Sequence, residues 1–153
     1  MPRQPLTIHD EGLVTETLDA IAAEQGNFDR SFDLVHEVIR KFGEAGLAER
    51  LYSAIPRERR WEDIADLFGI LIWSTSDNGG ALMRTMEQWL LDATDVRQVQ
   101  IALHLHVYPF SSPSSKGGTM DRVLGDVAAK FPQVSERCRE LVESFRRPPQ
   151  AGA

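Results

Sequence analysis

Residues 61–95 read WEDIADLFGILIWSTSDNGGALMRTMEQWLLDATD. Trp61, Ile64, Ala65, Phe68, Leu71 and Ile72 recur at intervals of three and four, the period of one helix face. With Leu67 and Ile70 added, the second half of this segment is apolar almost all round, as in a central helix. The string STSDNGG at 74–80 then concentrates turn formers, each suited to a tight reversal. Leu82, Met83, Met86, Trp89, Leu90 and Ala93 resume the helical period. Helix, turn and helix here set the expectation for the whole chain.

Working outward, the same period runs from end to end. Asp10 is a candidate N-cap before Leu13, Leu18, Ile21 and Ala22, and Gly26 is expected to close that segment. Phe28, Phe32, Val35, Val38, Ile39 and Phe42 predict an amphipathic helix that Gly43 and Gly46 end. Leu47, Leu51 and Ile55 predict a shorter one, stopped by Pro56. The central helix is expected to begin near Arg57 and run to Trp73. Asp95, with Gln98 three residues on, has the form of a capping box. The segment Val96 to Tyr108 fits both a helix and an alternating strand; helix is preferred, because about 13 residues exceed a usual strand of ~5–6. Pro109 and SSPSSKGG predict a long loop. Met120, Val123, Leu124, Val127 and Ala128 predict one more helix, and Val134, Cys138, Leu141, Val142 and Phe145 the last.

The expected fold is therefore all-α. Seven or eight short helices, antiparallel through short connections, make a HEAT-like helical repeat or an irregular bundle. The expected organisation is a flexible segment over 1–9, a single helical domain over 10–147 with its long loop at 109–118, and a disordered tail over 148–153. The 153 residues, 42% of them apolar, are enough for one core.

Charge is concentrated. The 61–95 stretch holds seven acids and one base, a net −6 that equals the chain's total, while the rest balances. It also holds all three tryptophans. Phosphate contacts need clustered Lys and Arg, so the acidic balance argues against direct nucleic-acid binding. Arg57, Arg59 and Arg60 read as an ordinary solvated run. No apolar segment approaches the ~20 residues of a membrane span, and no leader pattern follows Arg3, so a cytoplasmic protein without membrane contact is expected. The one cysteine, Cys138, excludes an internal disulfide and reads as a half-buried helix residue.

Candidate chemistry is sparse. His104 and His106, at i and i+2, face together only on a strand; on a helix they diverge by about 200°. They mark an alternative reading as a metal-dependent hydrolase, which would also need a third ligand. Ser111, Ser112, Ser114, Ser115 and Lys116 lack both the Ser-x-x-Lys spacing and the ending of a phosphate-binding loop. Glu62 and Asp66 share a helix face, but Glu62 and Asp63 also lie where carboxylates complement the helix dipole. Trp61 and Trp73 are expected in the core, with Trp89 open between core and surface. No cofactor and no catalytic residue is expected.

The segment 32–78, FDLVHEVIRKFGEAGLAERLYSAIPRERRWEDIADLFGILIWSTSDN, has a particular order. A helix with a central His36 is followed by a polar break, a Leu-rich helix ending at Pro56, and a Trp61-led apolar helix ending in the turn Ser74 to Asn78. In this it resembles the small all-helical, HEAT-like immunity proteins of bacterial polymorphic toxin systems, over residues 28–105. The resemblance implies a non-catalytic inhibitor that binds one cognate protein toxin, such as a basic nuclease domain, by occlusion. Its implied contacts are Asp66, Asp77, Asn78, Glu87, Trp89 and Asp92, with carboxylates opposite Lys or Arg and an aromatic anchor. A self-associating helical adaptor is the other alternative, which an exposed apolar patch would favour.

Overall fold

The computed structural model describes residues 11–24, 27–104 and 116–146. Among them there are eight α-helices and no strand: α1 Glu11–Glu24, α2 Asp29–Phe42, α3 Leu47–Ala54, α4 Trp61–Ser74, α5 Gly80–Asp92, α6 Val96–His104, α7 Lys116–Lys130 and α8 Ser135–Arg146. A short 3-10 turn, Pro132–Val134, leads into α8. The all-α expectation holds. The Val96 to Tyr108 segment is a helix through His104, and its last four residues lie outside the described ones, as do Asp10 and Gly26.

The helices group into two compact units that divide within α5, between Thr85 and Met86. In the first unit, α1 packs on α2, α3 and α4, and α2 also packs on α4. Its core is Val14, Leu18 and Ile21 of α1, Val35 and Val38 of α2, Leu47 and Leu51 of α3, and Ile64, Leu67, Phe68 and Leu71 of α4, all buried. The second unit packs α7 on α8, with α6 against α8. Its core includes Met86, Leu90, Val99, Ile101, Leu103, Leu124, Val127, Val134 and Leu141. Arg137 of α8 closes the end of α6, its Nε–H donating to the Leu103 carbonyl at 2.8 Å. That carbonyl lies in the last turn of α6, where carbonyls lack a helical partner.

Two boundaries depart from expectation. The central helix α4 starts at Trp61, not near Arg57. Pro56 to Arg59 form a turn instead, with the Arg59 N–H on the Pro56 carbonyl at 3.1 Å and the Arg59 guanidinium on Asp19 of α1 at 2.7 Å. A tertiary contact here outcompetes the helix propensity of Arg-Glu-Arg-Arg. Helix α7 begins at Lys116 and takes in Gly117 and Gly118, which the sequence assigns to the 109–118 loop. The capping box at Asp95 is half formed: its Oδ1 accepts the Arg97 N–H at 2.9 Å, one residue earlier than the expected Gln98.

The start of α2 shows how the first unit locks. Phe28, its N-cap residue, offers no side-chain bond. Glu24, the last residue of α1, supplies it across the turn. Its carboxylate accepts the Ser31 hydroxyl at 2.5 Å, the Ser31 N–H at 2.7 Å and the Arg30 N–H at 2.9 Å. These satisfy donors that every helix start leaves open. The Ser31 hydroxyl, then the Arg30 N–H, hold the Glu24 carboxyl below its ordinary value of 4.5. The folded carboxyl therefore binds its proton more weakly than the unfolded one. The stabilisation is fully present above the unfolded value and is lost as pH falls through the folded one. Thermal melts between about pH 6 and 3 should show the melting temperature falling on the acid side, and Glu24→Gln should flatten that dependence. Ser31→Ala, at a fully buried site, should cost about 1 kcal/mol at neutral pH. An unchanged acid profile in Glu24→Gln would remove this carboxylate from the account.

Candidate functional site

Helix α4 is buried on nearly every side. Asp63, Ile64, Ala65, Leu67, Phe68, Ile70, Leu71 and Ile72 are all buried. The positions left open are Trp61, Glu62, Asp66, Gly69 and Ser74, each partly exposed, and then Trp73. At ~100° per residue Glu62, Asp66, Gly69 and Trp73 fall within about 60° of arc and form one stripe along the helix, with Trp61 and Ser74 about 110° to either side of its centre. Trp73 is 76% exposed. This overturns the expectation that Trp73 lies in the core. Leaving an indole of this size in water forgoes on the order of 3 kcal/mol of burial. The stability of α4 does not account for that placement, and an aromatic residue of this kind is what a binding surface uses as an anchor.

The stripe runs into the turn after α4. There the Ser76 N–H and hydroxyl both donate to Glu44, at 2.9 and 3.0 Å, which ties the turn to the α2–α3 connection. The Gly79 N–H reaches Thr75 Oγ1 at 2.8 Å and Asp77 Oδ1 at 3.1 Å. The other Asp77 oxygen accepts the Ala81 N–H at 2.8 Å, at the start of α5. That N–H, joined by the Thr75 hydroxyl and the Gly79 N–H, holds the Asp77 carboxyl below its ordinary value of 3.8. Asp77 is thus exposed and also holds the turn together. Asn78 is exposed with a left-handed φ of 55°, a conformation asparagine tolerates well.

The six residues expected to meet a partner divide between the units. Asp66, Asp77 and Asn78 belong to the first unit, and Glu87, Trp89 and Asp92 to the second. Trp89 is 7% exposed and sits in the core, so it is corrected from anchor to packing residue. Its position among Met86, Leu90 and Ala93, all buried, explains why. Glu87 is partly exposed. Asp92 is exposed at the last residue of α5 and accepts a hydrogen bond from Gln88 Nε2 at 2.8 Å. An acid at a helix C-terminus opposes the helix dipole by about 0.3–1 kcal/mol. Asp92 does not owe its place to helix stability.

Of the resemblance-carrying residues, His36 is exposed on α2, its ring 4.5 Å from that of Phe32. Trp61 is partly exposed at the start of α4. Glu62 and Asp63 do not act together: Asp63 is buried, while Glu62 lies on the stripe with the Arg60 guanidinium 3.4 Å away.

His104 ends α6 and is partly exposed; His106 lies outside the described residues, as do Ser111, Ser112, Ser114 and Ser115. Among the described residues no group of three or more His, Cys, Asp or Glu is placed to hold a metal ion, and no helix is long and apolar enough to cross a membrane. The cavity beside the turn, between Glu44, Leu47, Thr75 and Asp77, holds about 50 Å³. That is room for one or two waters, far below the ~300 Å³ at which ligand pockets begin. A groove of about 410 Å³ in the second unit is lined by Leu124, Gly125, Ala128 and Cys138, among others. Burial pushes the Cys138 thiol up to about 11, so it stays protonated and unreactive at neutral pH.

No protein family, curated protein or solved structure matches the chain.

Proposed function

We propose that this chain is a non-catalytic binding protein, an immunity-type inhibitor that neutralises a cognate bacterial toxin by occluding it with an acidic surface. One observation carries the reading: a tryptophan, Trp73, stands 76% exposed within the stretch that holds the chain's whole net charge. An anchor of this kind amid carboxylates suits a basic partner. Lys or Arg of the partner pairs with Asp66 or Asp77, and the indole face takes a cation or an apolar group. The surrounding charge speeds encounter with a positively charged cleft. Asn78, in the turn that follows α4, adds an exposed amide able to donate and accept. The resemblance to helical immunity proteins supplies the biological setting, and the toxin it implies is a basic protein such as a nuclease domain.

Co-expression tests this. The chain is produced in bacteria with a basic nuclease toxin domain, and growth and direct binding are measured. The wild-type chain should restore growth. Trp73→Ala should keep its helical circular dichroism and melting temperature, yet bind at least ~30-fold more weakly, the loss expected of a hot-spot side chain worth about 2 kcal/mol. Equal affinity for wild type and Trp73→Ala would sink the reading. The more obvious variant, Asp77→Lys, is a poorer test, because it also removes the carboxylate that holds the turn.

A further inference from the structure

We infer that the groove between α7 and α8 receives a second copy of this chain, the two α8 helices crossing antiparallel about a two-fold axis. The inference goes beyond the inhibitor reading and concerns the second unit, whereas Trp73 belongs to the first.

The groove holds about 410 Å³, and its floor is apolar: Leu124 and Ala128 of α7, Cys138 and Val142 of α8. Leu124 and Cys138 are buried while Ala128 and Val142 are partly exposed, so apolar surface continues from the core to the open side. Gly125 of α7 lines the same groove. A Cβ placed there would meet nothing within 4 Å, so the space beside it is open. Glycine is a poor helix former, and no neighbour in the unit requires one at this position. Two helices side by side leave such a furrow, and a third helix fills it by setting a ridge of side chains into it.

Charge order says which helix that is. Arg139 and Glu143 stand at the rim, four residues apart on α8 and both exposed. Among the described residues Glu143 makes no ion pair or hydrogen bond. Arg139 meets only Glu136, at 4.0 Å, with both side chains more than two-thirds exposed. That separation is too long for a hydrogen bond, and so exposed a pair is worth almost nothing. About a two-fold axis, residue i of one copy meets residue j of the other, and j meets i. An axis at the level of Leu141, midway between the two charges, sets Arg139 against Glu143 of the partner subunit and Glu143 against Arg139 of the partner subunit. Both rim charges then gain an opposite charge, in the guanidinium–carboxylate pairing that gives the stronger hydrogen bonds. The sequence of α8 is thus complementary to itself in reverse. An unrelated helix would have to bring the same charge order of its own. With α7 behind each α8, the two copies build a four-helix arrangement of antiparallel neighbours.

Analytical ultracentrifugation of the full chain over a wide concentration range tests this. Wild type should pass from monomer to dimer as concentration rises. Arg139→Glu and Glu143→Arg each set like charges opposite one another, twice over because the axis repeats every substitution. Each should raise the dimer dissociation constant tenfold or more. The combined swap, Arg139→Glu with Glu143→Arg, restores both pairs and should return the constant to within about threefold of wild type. That rescue separates a contact between copies from damage to the fold. Gly125→Gln puts a better helix former into the open space. It should weaken the dimer as the single reversals do, while helical circular dichroism is kept. A chain that stays monomeric at every concentration overturns the inference. So does a dimer that the single reversals leave intact, including one that Trp73→Ala dissociates, and so does a swap that fails to restore what they remove. The inhibitor reading is decided separately, by toxin binding, whichever oligomeric state is found.

Discussion

Phe68→Ala is expected to destabilise the unit up to Thr85 by about 3–5 kcal/mol, the range for removing a large buried ring. Phe68 has no exposed surface and lies midway along α4, the helix on which α1 and α2 both pack. The loss has two parts. The ring's transfer free energy disappears, and a cavity remains, because Ile64, Leu67 and Leu71 are themselves fixed in the same core. Alanine's better helix propensity returns only about 0.5 kcal/mol. A unit of this size is stable by only ~4–13 kcal/mol at the usual value per residue, so the variant removes roughly a quarter or more of the total. Urea unfolding followed by circular dichroism on the full chain reads the effect as an earlier first transition. A shift of under about 1 kcal/mol would mean that α4 is not the centre of the unit's packing.

Gly79→Ala should rank next, at about 2–5 kcal/mol, because two penalties add. Gly79 has a φ of 80°, where an L side chain crowds the following carbonyl oxygen at a cost of roughly 1–2 kcal/mol. A Cβ there would also lie 2.9 Å from both the Cα and the Cγ2 of Ile72. The Ile72 atoms belong to the backbone and stem of a buried residue in α4 and cannot swing aside, so overpacking adds about 1–3 kcal/mol. The change also displaces the Gly79 N–H that bridges Thr75 and Asp77. Docking should therefore weaken together with stability, in contrast to Trp73→Ala, where only docking does. Asn78→Gly is the control: it keeps the left-handed conformation and should change stability by only a few tenths of a kcal/mol. A melting temperature unchanged in Gly79→Ala would show that the turn yields easily and does not hold α4 and α5 in place.

The candidate site was only partly legible in the sequence. The acidic, tryptophan-rich stretch was visible as composition, and the turn at 74–80 was visible as residue type. The roles of the tryptophans were not. Both Trp73 and Trp89 sit at helical spacing among apolar neighbours, and in each case the neighbours suggest core. Helical arithmetic contained the missing signal for Trp73. It shares its arc with Glu62, Asp66 and Gly69, so the one apolar-poor line of α4 passes through it. For Trp89 no such line exists, and its burial follows from Met86 and Leu90 beside it. Asp77 was read as a surface charge for a partner, but its two oxygens are engaged by backbone N–H groups. Nothing in residue type separates a carboxylate that waits for a partner from one that holds its own turn.

By itself, the amino-acid order determined the all-helical class and the succession of helices, because the three-and-four period and the Gly and Pro breaks act within a few residues of one another. It also placed the excess acid in the middle of the chain. Only the tertiary structure decided where α4 begins, since the turn before it is held by Arg59 on Asp19 of α1. Packing likewise decided which tryptophan faces water. An exposed face is whatever the other helices leave uncovered, and that depends on residues far away along the chain.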